Sequence, residues 1–348
     1  MFEAEFEILP ALRNHPRADL GLTRTPITPL RGLSRELGLQ LFAKRDDLTG
    51  LAMGGNKVRQ LEYYLGPGEE NGADTVLITG AVQSNFVRLC AAAARVLGWH
   101  PIVQLEDRVP STEEAYNNSG NVLLDRLMGA DIHYFPEGEN EAAADANLDR
   151  LADELKQQGR RPHVIHLGTD HPPVGGLGYA LCAAETFLQC QHNNQFPDAI
   201  VIPTGSGITH SGFLAGALAI GWDVPIHGIC VRRDASLQQP RIEKRTLEVL
   251  ELLGLEDKYD QSRVVVHDDV LAPGYGRLND AVIEAMQMSA SKDAIILDPV
   301  YTGRAMAGLI DLSRRGVIAS DSSTLFLHTG GLPGLFAYEE KLRPHLPG

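Results

Sequence analysis

The lysine of GLAMGGNKVRQLEYY (residues 50–64) stands directly behind Gly54, Gly55 and Asn56, at the mouth of a segment with helical character. A lysine ordinarily reaches into solvent on a long stem and stays protonated. Lys57 sits instead behind a tight backbone bend, where partial desolvation would lower its pKa and turn its amine into a nucleophile towards an aldehyde. Gly54 and Gly55 are expected to leave room for the group that carries the aldehyde.

Other polar residues fall where short apolar runs end. In IVIPTGSGITHSG the run stops at Pro203–Thr204, and Gly205, Ser206 and Gly207 lead through Ile208 into a helix opening at Thr209 or His210. Such a turn lets backbone N–H groups and the helix dipole hold an anion, with the Ser206 and Thr209 hydroxyls as added donors. No Lys-Ser/Thr pair makes it a triphosphate loop, and His210 stands where the dinucleotide fingerprint needs its last glycine. A single phosphate is the better candidate, beside the plain reading of a glycine-rich turn with a Ser/Thr helix cap. In LITGAVQSNFVR, Gln83, Ser84 and Asn85 open another helix. Ser84 is a good N-cap, and the three polar residues also make a seat for a carboxylate. Further along, Asp298, Tyr301 and Thr302 follow IIL, Thr329 follows TLFLH, and Tyr275 lies in the glycine-rich turn APGYG. A lysine amine near a monophosphate site, with short side chains ready for a carboxylate, points to a Schiff base with pyridoxal phosphate.

These groups must be carried by a scaffold. Apolar runs that are nearly continuous in Val, Ile and Leu alternate with longer helical patterns: TVLIT (75–79), IVQL (102–105), HVIHL (163–167), AIVIPTG (199–205), PIHGICV (225–231), IIL (295–297) and TLFLH (324–328). Strands of this kind, separated by helices, form parallel sheets covered on both faces, so a doubly wound α/β architecture is expected. Ligands bind there at the carboxyl ends of strands, where the residues above lie. The stretch 106–121 reads as a polar surface loop.

At 348 residues, 43% apolar and 22% charged, the chain has ordinary globular composition. A net charge of −14 argues against nucleic acid or an anionic membrane as the main partner. The amino terminus lacks the pattern of a secretory signal, and no apolar run approaches the length of a bilayer span. Cys90, Cys182, Cys190 and Cys230 are scattered without metal-ligand spacing, which fits reduced thiols packed as small hydrophobes in the cytoplasm.

Taken together, TPITPL (25–30), AKRDDLTGLAMGGNKVRQLE, GAVQSNFVR, PTGSGITHSG, APGYG, LDPVYTGRAMAGL and HTGG resemble the D-cysteine desulfhydrase and 1-aminocyclopropane-1-carboxylate deaminase family of pyridoxal-phosphate enzymes. The resemblance covers nearly the whole chain. It implies the tryptophan synthase β-like fold (fold type II): two doubly wound, mostly parallel sheets with the cofactor in the cleft between domains. A larger domain of residues 1–59 and 169–348 and a smaller inserted one of 60–168 follow, as does a homodimer. By the same resemblance Lys57 binds the cofactor and carries the Cα proton, and Asn85 meets the ring oxygen. Gly205, Ser206, Gly207, Ile208 and Thr209 hold the phosphate, and Asn56 and Thr329 complete the cofactor contacts. Gln83, Ser84 and Asn85 meet the substrate carboxylate, and Tyr275 and Tyr301 line the substrate side, one of them stacking or relaying a proton. Thr302 would face the ring nitrogen, where the deaminase branch carries glutamate. That favours carbon–sulfur β-elimination from a small amino acid, giving pyruvate and ammonia, over opening of a cyclopropane ring. Phe86, in place of histidine or glutamine, resembles an L-cysteate sulfo-lyase branch, whose sulfonate would need donors such as Thr329, His210 or an arginine.

Overall fold

The computed structural model describes residues 2–346 except 110, 112 and 139. Its strands form two sheets. The larger orders β1 (Ile27–Pro29), β2 (Gln40–Lys44), β10 (Ser323–Leu327), β7 (Ala199–Thr204), β8 (Ile226–Cys230) and β9 (Val265–His267) side by side. The smaller orders β5 (Asp131–Phe135), β4 (His100–Glu106), β3 (Thr75–Ala81) and β6 (Pro162–Ile165). Every pairing is parallel except β1 with β2. The continuous apolar runs are explained by burial on both faces: every residue of β3 and of β7 is buried.

The helices that build and brace the strand ends are α1 (Lys57–Glu70), α2 (Asn85–Val96), α3 (Gly120–Leu127), α4 (Glu141–Gln157), α5 (Gly176–Asn193), α6 (Ile208–Ala219), α7 (Ala235–Leu253) and α8 (Thr302–Arg314). Helix α2 is alanine-rich and nearly all buried against β3 and β4, with Val87, Leu89 and Ala93 fully enclosed. Helix α1 packs on α5 and α2, so it touches both sheet layers. It runs unbroken across the boundary expected at residues 59–60.

The start of α1 is pinned by buried charge. Arg59 donates from Nε to Asp46 Oδ2 at 2.9 Å and from Nη1 to Glu185 Oε2 at 2.8 Å. Tyr179 donates to the same Asp46 oxygen at 2.6 Å, and Lys44 joins Glu185. Four charged groups out of water are tolerable only because each is paired, so removing one would strand the others. The network fixes the turn two residues after Lys57.

Two local expectations need correction. Residues 295–297 form no strand. Ile295 and Leu297 are buried in the cluster around Met306 and Phe326, and the Ile296 carbonyl meets His328 Nε2 at 3.2 Å in place of a ladder partner. The stretch 106–121 is not only loop, because Glu114–Asn118 is helical and α3 begins at Gly120. Tyr116 at its centre is buried edge-on against Tyr338, 5.7 Å between ring centroids.

Candidate active site

The strand ends of both sheets converge on one cleft, about 850 Å3 counted to its open mouth, with Lys57, Asn85, Ser206, Thr209, Tyr275 and Tyr301 in its walls. Asn56, Ser84, Gly205, Gly207 and Thr329 line it too.

Lys57 opens α1 after a bend in which Ala52, Met53, Gly54 and Gly55 all have positive φ. Gly54 is required by the backbone: at φ 66° a Cβ would lie 2.1 Å from the Asp47 carbonyl oxygen. A Cβ at Gly55 would meet the Thr329 carbonyl oxygen at 3.3 Å. These glycines therefore let the chain pass its own backbone; they do not clear space for a ligand ring, as the sequence suggested. The Lys57 amine has no carboxylate partner among the described residues; Nζ lies 5.1 Å from the Phe86 ring centroid and 3.5 Å from Gln60 Oε1. The side chain opens onto the cleft, yet the walls strip it of water, and that desolvation pulls its pKa down to about 8.

The turn between β7 and α6 is built as an anion cradle. The Gly205 carbonyl accepts from Arg233 Nη1 (3.3 Å) and Gln238 Nε2 (3.1 Å), and the Ser206 carbonyl accepts from Arg241 Nε (2.8 Å). In a planar trans peptide the following N–H points the opposite way, so the N–H groups of Ser206 and Gly207 face away from these side chains and towards the cleft. The opening N–H groups of α6 add to them, with the positive end of its dipole. Ile208 offers only its backbone, its side chain being buried. Thr209 Oγ1 accepts from Asn56 Nδ2 and from Gln60 Nε2, both at 2.8 Å, which leaves its own proton to donate. A dianionic phosphate fits this donor set.

Across the cleft, Ser84 caps α2, accepting from the N–H groups of Phe86 and Val87 at 3.2 Å each. Its hydroxyl proton and the Asn85 N–H are left for a carboxylate. Tyr275 and Tyr301 join their hydroxyls at 2.7 Å. Burial, and then the neighbouring Tyr275, push the Tyr301 pKa well above the ordinary range, so Tyr301 keeps its proton. Thr329 also carries the backbone, its carbonyl accepting from the Asn56 N–H at 3.0 Å.

Three expected residues lie elsewhere. Gln83 is not in the wall: its amide donates to the carbonyls of Tyr116 (2.6 Å) and Ser119 (3.0 Å) and accepts from the Asn121 N–H (2.9 Å). It braces a loop and has nothing left for a carboxylate. Thr302 lies behind the wall, buried, donating to Asp298 Oδ1 at 2.7 Å and accepting from the Asp298 N–H at 2.9 Å. Its hydroxyl serves the turn that carries Tyr301, and Gly330 stands in the wall in its place. His210 is buried behind the cradle, outside the cleft wall.

Sequence reasoning missed Arg108 and Arg232, which also line the cleft. Arg108 follows β4 and Arg232 follows β8 by two residues each, so the strand-end rule marked both. Glu106 engages Arg108 through Nε (2.7 Å) and Nη2 (2.9 Å), and Glu141 engages Arg232 at 3.0 Å.

A desolvated lysine of depressed pKa, facing an anion cradle and a pair of helix-start donors between two mostly parallel sheets, is the make-up of an α/β enzyme that works on amino acids through a carbonyl cofactor. The family model described as "Pyridoxal-phosphate dependent enzyme" matches residues 18–330, and the chain belongs to that family. The D-cysteine desulfhydrase of Serratia proteamaculans is 38% identical over 333 residues, 95% of this chain and 98% of that protein. The D-cysteine desulfhydrase of Salmonella paratyphi B is 39% identical, over 96% and 98% respectively. Among solved structures, an ACC deaminase homologue aligns with a TM-score of 0.86 and 36% identity, over 97% of this chain and 99% of that one. Threonine deaminase isoform 2 from Solanum lycopersicum, at 15% identity and a TM-score of 0.62, shares the fold. No helix among the described residues is long and apolar enough to cross a membrane.

Proposed function

We propose that the protein is a carbon–sulfur β-lyase that removes the sulfur group of a small β-substituted amino acid and yields pyruvate and ammonia. The observation that carries this is Lys57: a desolvated amine held between the Gly205–Thr209 cradle and the Ser84–Asn85 seat. The desulfhydrase relatives at 38% and 39% identity support the choice of reaction.

Lys57, Asn85 and the Gly205–Thr209 turn would hold pyridoxal phosphate, which when bound would supply an electron-poor ring as an electron sink for Cα. The chain does the rest. Ser84 and the Asn85 N–H bind the carboxylate and hold Cα–H at a fixed angle. The Lys57 amine, its pKa lowered to about 8 by desolvation, would take the Cα proton. The Cβ–S bond breaks, and the hydroxyl proton that the Tyr275–Tyr301 pair does not use internally is available to the departing sulfur. The amino acid and one water thereby become the sulfur product, pyruvate and ammonium.

Arg108 favours a second reading of the substrate. Glu106 occupies Nε and Nη2, which leaves Nη1 for an anion in the cleft, as a sulfonate would be. That substrate is L-cysteate, with sulfite as the leaving group. The assay compares pyruvate from D-cysteine, L-cysteine and L-cysteate with 2-oxobutanoate from the cyclopropane amino acid. Pyruvate from D-cysteine supports the first reading, and pyruvate from L-cysteate that is lost in Arg108→Leu supports the second. Formation of 2-oxobutanoate alone overturns both. A cytoplasmic homodimer completes the proposal: four buried, unpaired thiols suit a reducing compartment, and light scattering on the pure protein measures the assembly.

A further inference from the structure

Asn85 offers the cofactor either an amide N–H or an amide oxygen, and only the N–H binds an anionic ring oxygen. The fold contains an anchor that decides which. Arg88, buried on α2, can only donate. Its Nε donates to Asn121 Oδ1 at 3.1 Å, so the opposite end of the Asn121 amide must be Nδ2. Asn121 Nδ2 donates to Asn85 Oδ1 at 3.0 Å and to the Gln83 carbonyl at 3.1 Å. With Oδ1 engaged, Asn85 turns Nδ2 to the cleft.

The same guanidinium holds the bend in front of Lys57. Arg88 Nη1 donates to the Ala52 carbonyl and, at 3.2 Å, to the Gly54 carbonyl. Ala52 and Met53 have positive φ, a strained conformation for residues with a Cβ, so this bend needs an outside hold. Asp125, one turn beyond Asn121 on α3, is buried and faces the Arg88 charge.

We infer that Arg88 and Asn121 are positioning residues: through one guanidinium they fix the polarity of the Asn85 amide and the bend that presents Lys57, so that donor and amine meet the same ring. The inference rests on the pyridoxal-phosphate reading of the cleft and goes beyond it, since neither residue lines the wall.

The test loads wild type, Asn121→Ala and Asn121→Asp with pyridoxal phosphate and titrates the near-visible absorbance of the bound cofactor with pH. Donation from Asn85 stabilises the anionic ring oxygen and keeps the adjoining nitrogen less basic. Asn121→Ala frees the Asn85 amide, and the titration midpoint should rise by about one pH unit, a tenfold change in protonation. Asn121→Asp nearly preserves shape, keeps the Arg88 contact and forces Asn85 to flip, so its midpoint should rise at least as far. Because Asp is close to isosteric, it carries the test even if the alanine variant folds poorly. Midpoints that coincide with wild type overturn the inference. A wild type with no such absorbance overturns the reading beneath it, and Lys57→Ala, which removes the covalent link alone, marks what that failure looks like.

Discussion

Tyr275 and Tyr301, 26 residues apart in the chain, bring their hydroxyls to 2.7 Å with the rings edge-on at 6.1 Å between centroids. One of their two protons lies between them, and the other is free to leave for a substrate atom. Tyr301→Phe and Tyr275→Phe should each lower turnover by on the order of 100-fold or more while leaving the bound-cofactor spectrum in place. Full turnover in both variants would remove the pair from the chemistry.

Lys57 should react as an amine of pKa about 8. Below that pH it is protonated and inert; above it, neutral and nucleophilic. Borohydride trapping of pyridoxal phosphate by the cofactor-free protein should rise with pH to a half-point near 8, where a solvent lysine would still be climbing. Lys57→Ala should trap nothing. A midpoint near ~10 would show an amine in open water.

Thr209 receives two amide donors and has one proton to give. Thr209→Val removes that proton and strands both amides, so cofactor binding should weaken about 10- to 100-fold, the worth of a hydrogen bond to a charged group. Thr209→Ser should restore most of it. Equilibrium dialysis separates the three proteins.

Asp125 carries a stability signature. Both carboxyl oxygens are buried without a hydrogen-bond partner, and desolvation, opposed by Arg88, pushes its pKa up to about 8. An unfolded aspartate titrates near pH ~4. Between those values the folded protein holds a proton that the unfolded chain releases, so stability falls as pH rises through that window. A neutral amide at this position has no proton to hold and therefore no such slope. The melting temperature of Asp125→Asn should gain on wild type by roughly a few degrees from about pH 5 to about pH 8; parallel curves would show that Asp125 is ionised throughout.

The alternation of continuous apolar runs with helical patterns determined the parallel α/β scaffold, because burial on both faces leaves strands no polar alternation. The glycine bend before a helix mouth marked Lys57, a glycine-rich turn marked Tyr275, and polar residues at strand ends marked the Gly205–Thr209 turn, Ser84–Asn85 and Tyr301; all line one cleft except the Ile208 side chain. These features are local: turn, cap and period act within a few residues. Tertiary structure alone decided where each side chain spends its hydrogen bonds. Gln83 turns to the carbonyls of Tyr116 and Ser119, Thr302 turns to Asp298, and Asn121 settles the amide of Asn85. Those partners come from other elements or from a rotamer choice made by packing, and a buried polar group takes whichever partner the fold supplies because leaving it unmet costs more than any local preference.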